Sequence, residues 1–303
     1  ATAATKRSIE SSKVSTSGDV LFFYPMGGNR RMLASWIDLL PTSSRLICVN
    51  RPGKGGTSAP PHHNKSDNKT TAAETTLKTA LQDIIAVLDY LTIDRVSVLC
   101  LCAGSPYAMA FCAQHPERTN GHLMGISTWV EPADCGYENT TFSFYLGTHI
   151  PALASPIAGS VSNSVGTSIT SLPTSWVNHA LWKKLSKEEQ QAFDKRQDDG
   201  QQETSFMNQM AWIQEETGGE TEDVRVLLTD GLIDYHKLDE THKITLWHGS
   251  NDSMVPLLSA KWLVEEALPS AVLNVIPDGS HQGLLFGLHD SVIASTKEAL
   301  GLD

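Results

Sequence analysis

Three side chains able to run acyl chemistry are spread along this 303-residue chain: the thiol of Cys102, the carboxylate of Asp252 and the imidazole of His281. A thiolate attacks a carbonyl carbon, an imidazole takes the thiol proton, and a buried carboxylate fixes the imidazole tautomer. Cys102 is the most informative of the three. It ends the run Val98-Leu99-Cys100-Leu101-Cys102-Ala103-Gly104-Ser105-Pro106, which reads as a buried strand breaking sharply into a helix. A turn of this kind strains its central residue and lifts the side chain off the sheet edge, with small residues needed on either side.

Elements must bring these residues together. Val20 to Tyr24 and Leu46 to Val49 are compact apolar runs that lead into glycine loops, Pro25-Met26-Gly27-Gly28 and Asn50-Arg51-Pro52-Gly53-Lys54-Gly55-Gly56. Residues 57 to 70 are polar and Pro-rich, hence loop, and Leu77, Leu81, Ile84, Leu88 and Leu91 then mark one face of a helix. Val96 to Leu101 is the strand that delivers Cys102. Pro106 fits the first turn of the next helix, which runs to about His115. Leu123 to Val130 predicts another strand. From 131 to 240 the strand pattern stops, and aromatic-bearing stretches predict a helical insertion, or lid. Alternation resumes with a strand at Ile244 to His248, a helix near Ala260 to Leu268, a strand at Val272 to Ile276 and a closing helix after His281.

Strands alternating with helices imply an α/β fold whose mostly parallel sheet is covered on both faces. The core is expected over 18–130 and 241–303, the lid over 131–240, and a disordered tail over 1–17. In such a sheet the loops at the carboxyl ends of the strands share one edge. Cys102, Asp252 and His281 each follow a predicted strand there, Asp252 within His248-Gly249-Ser250-Asn251-Asp252-Ser253-Met254-Val255-Pro256 and His281 within Pro277-Asp278-Gly279-Ser280-His281-Gln282-Gly283. The chain order is nucleophile, acid, histidine.

From about Val20 onward the chain resembles the α/β-hydrolase superfamily. Members carry H-G-x-x-G, D-R-P-G-x-G-x-S, a G-x-S-x-G elbow, G-x-x-D and a late histidine. Here the corresponding residues are Tyr24-Pro25-Met26-Gly27-Gly28, Asn50-Arg51-Pro52-Gly53-Lys54-Gly55-Gly56-Thr57, Cys100-Leu101-Cys102-Ala103-Gly104, Gly249-Ser250-Asn251-Asp252 and His281. The resemblance implies a Cys102–His281–Asp252 triad and an oxyanion hole from the backbone N–H groups of Ala103 and Met26. Pro25 stands where a glycine is usual and has no N–H, and Cys100 replaces the first elbow glycine. Glu131 also follows a predicted strand and is a rival acid; the Gly249 turn and Val255-Pro256 match the family context and favour Asp252.

Composition excludes other classes. A formal charge of −11 with no basic stripe argues against nucleic acid and anionic membrane surfaces as partners. No apolar run approaches membrane-spanning length, and residues 1 to 17 lack a hydrophobic signal core. Five cysteines, an odd set inside predicted strands and helices, fit a reduced cytoplasmic setting. The sequons at Asn64, Asn68 and Asn139 are then read as chance. Cys100 and Cys102 alternate along a strand without closing a disulfide, and no Cys/His spacing supports zinc, so no metal and no cofactor are expected. His62-His63 reads as a solvated loop. Gly27, Trp129, Phe144, Trp176 and Trp182 are candidates to contact substrate, although the lid aromatics serve equally as lid core.

A thiol changes the chemistry expected of this triad. A thioester exchanges onto Cys102 almost isoenergetically, whereas an ester or amide must climb to reach a thioester intermediate. The expected activity is therefore acyl transfer through an acyl-Cys102 intermediate, released by an alcohol, as in lactone closure, or by water. The donor would be a small-molecule acyl group, such as a fatty or polyketide-like chain on coenzyme A or a carrier protein. Within the family the chain looks like stand-alone thioesterase or acyltransferase members of microbial, fungal-type secondary metabolism. Two alternatives remain open: a carboxylester or lactone hydrolase using the same Cys-His-Asp machinery, and a binding or isomerising scaffold without acyl chemistry.

Overall fold

Asp19–Phe23 (β1), Arg45–Ile47 (β2), Val96–Leu101 (β3), Thr119–Ile126 (β4), Lys243–Gly249 (β5) and Val272–Ile276 (β6) pair in parallel throughout, in the order β2-β1-β3-β4-β5-β6. They are seen in a computed structural model that describes residues 18–33, 44–60, 69–136, 179, 182–198 and 219–302. The order reverses at β1, so the chain winds first one way from β1 and then the other from β3. Cys102 follows β3, next to that switch point, where crevices open at the carboxyl edge of such sheets.

Side chains of the central strands are apolar on both faces. Leu21, Phe23, Val98, Cys100 and Leu123 enter one buried cluster, and Val20, Phe22, Leu99, Leu101 and Met124 enter another. Helices cover both clusters. Lys69–Tyr90 (α1) and Ser105–Gln114 (α2) contribute Leu77, Leu81, Leu88, Met109 and Phe111 to the first cluster. Within 131–240, Pro132–Cys135 (α3), Lys187–Asp198 (α4), Glu220–Leu227 (α5) and Tyr235–Thr241 (α6) are helical. Leu238 of α6 joins the first cluster, so the helix that enters β5 packs with the core layer. Leu257–Trp262 (α7) runs into a π turn at Leu263–Ala267. His281–Leu285 (α8) and Asp290–Ala299 (α9) supply Leu284, Val292 and Ala299 to the second cluster.

The bounds of β3 and β6 coincide with the apolar runs, but β4 lies four residues earlier than its run suggests. Thr119 pairs opposite Val96 because its hydroxyl is bonded to His242 Nε2 at 2.9 Å, which lets a polar residue start a buried strand. The strand stops at Ile126, since Ser127 turns to φ 48° and gives its N–H to Trp247 O. The tail 1–17, His62-His63 and the three sequons fall outside the described residues.

Candidate active site

β3 feeds Leu101 in extended geometry (φ −120°, ψ 130°) into Cys102 at φ +48°, after which a 3-10 turn over Cys102–Gly104 becomes α2. A left-handed non-glycine residue costs roughly 1–2 kcal/mol, and the surroundings hold it there. Ser105 Oγ lies 2.6 Å from Cys102 O and accepts from Trp129 N–H at 2.8 Å, tying the elbow to the end of β4. Gly104 packs on β1 so closely that a Cβ would run into the carbonyls of Phe23 and Tyr24. Pro106 occupies the first turn of α2, as its missing N–H allows. Cys100 is fully buried under the elbow, and none of the five cysteines, all among the described residues, is in a disulfide.

Two further loops converge on the elbow. The turn after β5 and the turn after β6 pass backbone against backbone, because Gly249 has no Cβ to meet Gly279. Ser250 N–H donates to Ile276 O at 2.9 Å and Asn251 N–H to Gly279 O at 3.1 Å, which sets the two loops in register. Asp252 Oδ2 then lies 2.7 Å from His281 Nδ1, while its Oδ1 accepts the N–H groups of Met254 and Val255 at 2.9 Å each. The His281 ring also lies close enough to Cys102 to interact with it. Burial works against charge on this imidazole, but its interaction with Cys102 and the bond to Asp252 outweigh it and push His281 up to about 10. Burial likewise opposes the Asp252 carboxylate; its bonds to His281 and Val255 win and hold it below the ordinary value. His248, whose Nε2 bonds Val255 O at 2.9 Å, is pushed down by burial and stays neutral behind Asp252.

The sheet, elbow and late histidine fall within a family-level match, the alpha/beta hydrolase fold, spanning residues 20–288. The chain belongs to the alpha/beta hydrolase fold family. Among curated proteins none is similar in sequence. Solved structures are similar in fold. An alpha/beta hydrolase fold protein from Nakamurella multipartita superposes with a TM-score of 0.59 at 18% identity, covering 95% of this chain and 93% of that one. The enol-lactonase from Burkholderia xenovorans gives 0.56 at 14%, over 96% and 93%. A hydrolase from Pseudomonas aeruginosa gives 0.59 at 15%, over 94% and 90%.

In this alpha/beta hydrolase-fold chain the loop after β1 is held by an arginine that spacing alone did not single out. Arg51 is buried, lies 3.9 Å from the centre of the Tyr24 ring, and donates from Nη1 to Tyr24 O at 2.7 Å and from Nη2 to Pro25 O at 3.1 Å. Asp223 of α5 receives Nη2 at 2.7 Å and the Tyr107 hydroxyl at 3.0 Å. Pro25 O also accepts Gly28 N–H at 3.1 Å across a turn in which Gly27 takes φ +73°. In a trans peptide the N–H opposes the C=O, so Met26 N–H is directed away from Arg51.

Of the other sequence candidates, Trp129 packs in one cluster with Cys102, Ala103, Leu227 and Val255, and its indole N–H donates to Leu227 O at 3.0 Å. Trp182 stacks on His179, with its indole N–H 3.4 Å from Asp194. Phe144 and Trp176 lie outside the described residues. Glu131 accepts from Asp134 N–H at 3.3 Å and caps α3, and it is Asp252 that bonds His281. Among the described residues no cluster of His, Cys, Asp or Glu is arranged to hold a metal, and no helix is long and apolar enough to cross a membrane. Sequence reasoning missed Asp223 and Glu189. Only Glu189 had a local signal, the Ser186-x-x-Glu189 spacing of a helix start.

Proposed function

We propose that this protein is an acyl-transfer enzyme that takes an acyl group from a thioester onto Cys102 and passes it to an alcohol or to water. The observation that carries the reading is geometric: Cys102 stands at φ +48° on the elbow after β3, facing a buried His281 whose Nδ1 is held by Asp252 at 2.7 Å. A thiol gives its proton to an imidazole more readily than a hydroxyl does, so this pair reaches its nucleophilic form more easily than a serine in the same place would.

The steps balance on these groups. The Cys102 thiolate attacks the thioester carbon, and the oxyanion formed is met by the Ala103 N–H in the 3-10 turn that leads into α2, with Met26 N–H as the second donor. Collapse breaks the bond to the departing thiolate, which takes the proton from His281. The neutral imidazole then accepts the proton of an alcohol or water as that oxygen attacks the acyl carbon. Cys102 leaves as thiolate, and His281 is an imidazolium again. Asp252 keeps the ring oriented through both halves. Thioester exchange onto sulfur is nearly isoenergetic, which supports a coenzyme A- or carrier-bound donor.

Intact-mass measurement after exposure to a panel of short and medium acyl thioesters tests the reading. One acyl adduct is expected, absent in Cys102→Ala, decaying faster when alcohols are added. Fast turnover of simple aryl esters with no thioester adduct would favour a carboxylester or lactone hydrolase instead. No adduct and no turnover with either substrate class would leave the scaffold alternative standing.

A further inference from the structure

Glu189 closes a reciprocal capping box at the start of α4: Ser186 N–H donates to its Oε2 at 2.8 Å, and its own N–H donates to Ser186 Oγ at 3.3 Å. Carboxylates in such boxes ordinarily face water, but this one is fully buried. It reaches across 91 residues to the segment that carries His281. Ser280 N–H donates to Oε1 at 2.8 Å, the Ser280 hydroxyl to Oε2 at 2.7 Å, and His289 Nε2 lies 2.7 Å from Oε1. Each oxygen thus has two partners, as an ionised group away from water requires. Burial opposes its charge, and the bonds from His289 and Ser280 overcome that and hold it below the ordinary value.

Ser280 is also the N-cap of α8. Its hydroxyl accepts Gly283 N–H at 3.0 Å, and His281 is the first residue of that helix. The carboxylate therefore grips, by backbone N–H and hydroxyl, the residue immediately before the histidine. Gly283 makes room for it, since a Cβ there would overlap the Glu189 carboxylate.

We propose that Glu189 is a positioning residue for His281, acting through Ser280, so that docking of α4 completes the Cys102–His281 pair. This rests on the acyl-cysteine reading above. A misplacement of the ring by a fraction of an ångström is enough to weaken catalysis without any loss of contact to substrate.

The test combines two readouts on the full chain: alkylation of Cys102 by iodoacetamide at neutral pH, and titration of the His281 ring followed by 15N NMR. In wild type His281 is expected to titrate near 10, and in Cys102→Ala well below that. Glu189→Gln puts an amide NH2 among groups that all donate, and it is expected to slow alkylation roughly ten- to a hundredfold and to lower the His281 titration. Gly283→Ala keeps every hydrogen-bonding group but displaces the carboxylate, and it should do the same; it carries the test if Glu189→Gln fails to fold. Ser186→Ala removes the helix cap while sparing the grip on Ser280, so it should lower the thermal midpoint and leave both readouts unchanged. Folded Glu189→Gln and Gly283→Ala proteins with wild-type readouts would overturn the inference, as would an equal loss in Ser186→Ala. A wild-type protein that takes up no acyl group on Cys102 from any thioester of the panel would overturn the acyl-cysteine reading itself.

Discussion

His281 Nδ1 and Asp252 Oδ2 stand 2.7 Å apart with both side chains closed off from solvent, so the carboxylate dictates which ring nitrogen is left for Cys102. Asp252→Asn keeps the shape but presents an amide that can stabilise the wrong tautomer. The expected loss in kcat is on the order of 10³- to 10⁴-fold with little change in KM. Steady-state kinetics on the best thioester of the panel would measure it, and a loss under tenfold would remove Asp252 from the mechanism.

The proton on His281 has a consequence for stability. Its ordinary value is 6.5 and its value in the folded protein about 10, so the folded state holds the extra proton throughout that window. The stabilisation it brings is complete below the lower value, declines as pH rises through the window, and is gone above the upper one. Asp252, held low, has the opposite sign: its contribution is present above the ordinary carboxylate range and is lost on acidification. Urea midpoints should fall in wild type as pH rises from about 6.5 to about 10, and fall less steeply in Cys102→Ala, where only Asp252 is left to raise the imidazole.

Arg51 and Asp223 form a buried pair at 2.7 Å whose partner carbonyls belong to the loop that carries Met26. Asp223→Asn strands a buried guanidinium and should cost about 3–5 kcal/mol. Arg51→Met combined with Asp223→Leu should regain most of that stability by replacing the pair with apolar volume. Activity should not return with it, because Tyr24 O and Pro25 O have lost their donor. Denaturant unfolding beside kcat separates the two effects, and full activity in the double variant would detach this pair from catalysis.

Gly104 touches backbone that cannot move aside, the carbonyls of Phe23 and Tyr24. Gly104→Ala should destabilise by about 1–3 kcal/mol or more and blunt Cys102 reactivity through displacement of the elbow. Cys100 is the contrasting neighbour. Burial pushes its thiol well up, so Cys100 is expected to stay unmodified on brief alkylation, and Cys100→Ala should leave the set of modified sites unchanged. Peptide mapping after brief alkylation reads both effects.

Much of this arrangement was legible in one dimension because it is local. The elbow depends on a strand, a small residue at 104 and a proline at 106, all within a few positions, and Cys102 duly adopts φ +48°. Asp252 and His281 were legible because residues at the carboxyl ends of parallel strands share an edge whatever their separation along the chain. β4 was misplaced because Thr119 is polar, and a partner 123 residues away is what lets it lie inside. Glu189 and Asp223 were illegible for the same reason: their spacing signals at most a helix start, while their role depends on Ser280 and Arg51, 91 and 172 residues distant.

The sequence by itself determined the layered fold, the order nucleophile–acid–histidine and the presence of sulfur at the nucleophilic position, since each is written in local pattern and residue type. Tertiary structure decided which groups face that sulfur and how firmly they are held. Both depend on distances between groups far apart in the chain: the 2.7 Å from His281 to Asp252, and the two buried carboxylates, from α4 and α5, that grip the loops on either side of Cys102. Electrostatic interactions vary steeply with separation and burial, and they do not exist until the chain has closed around these groups.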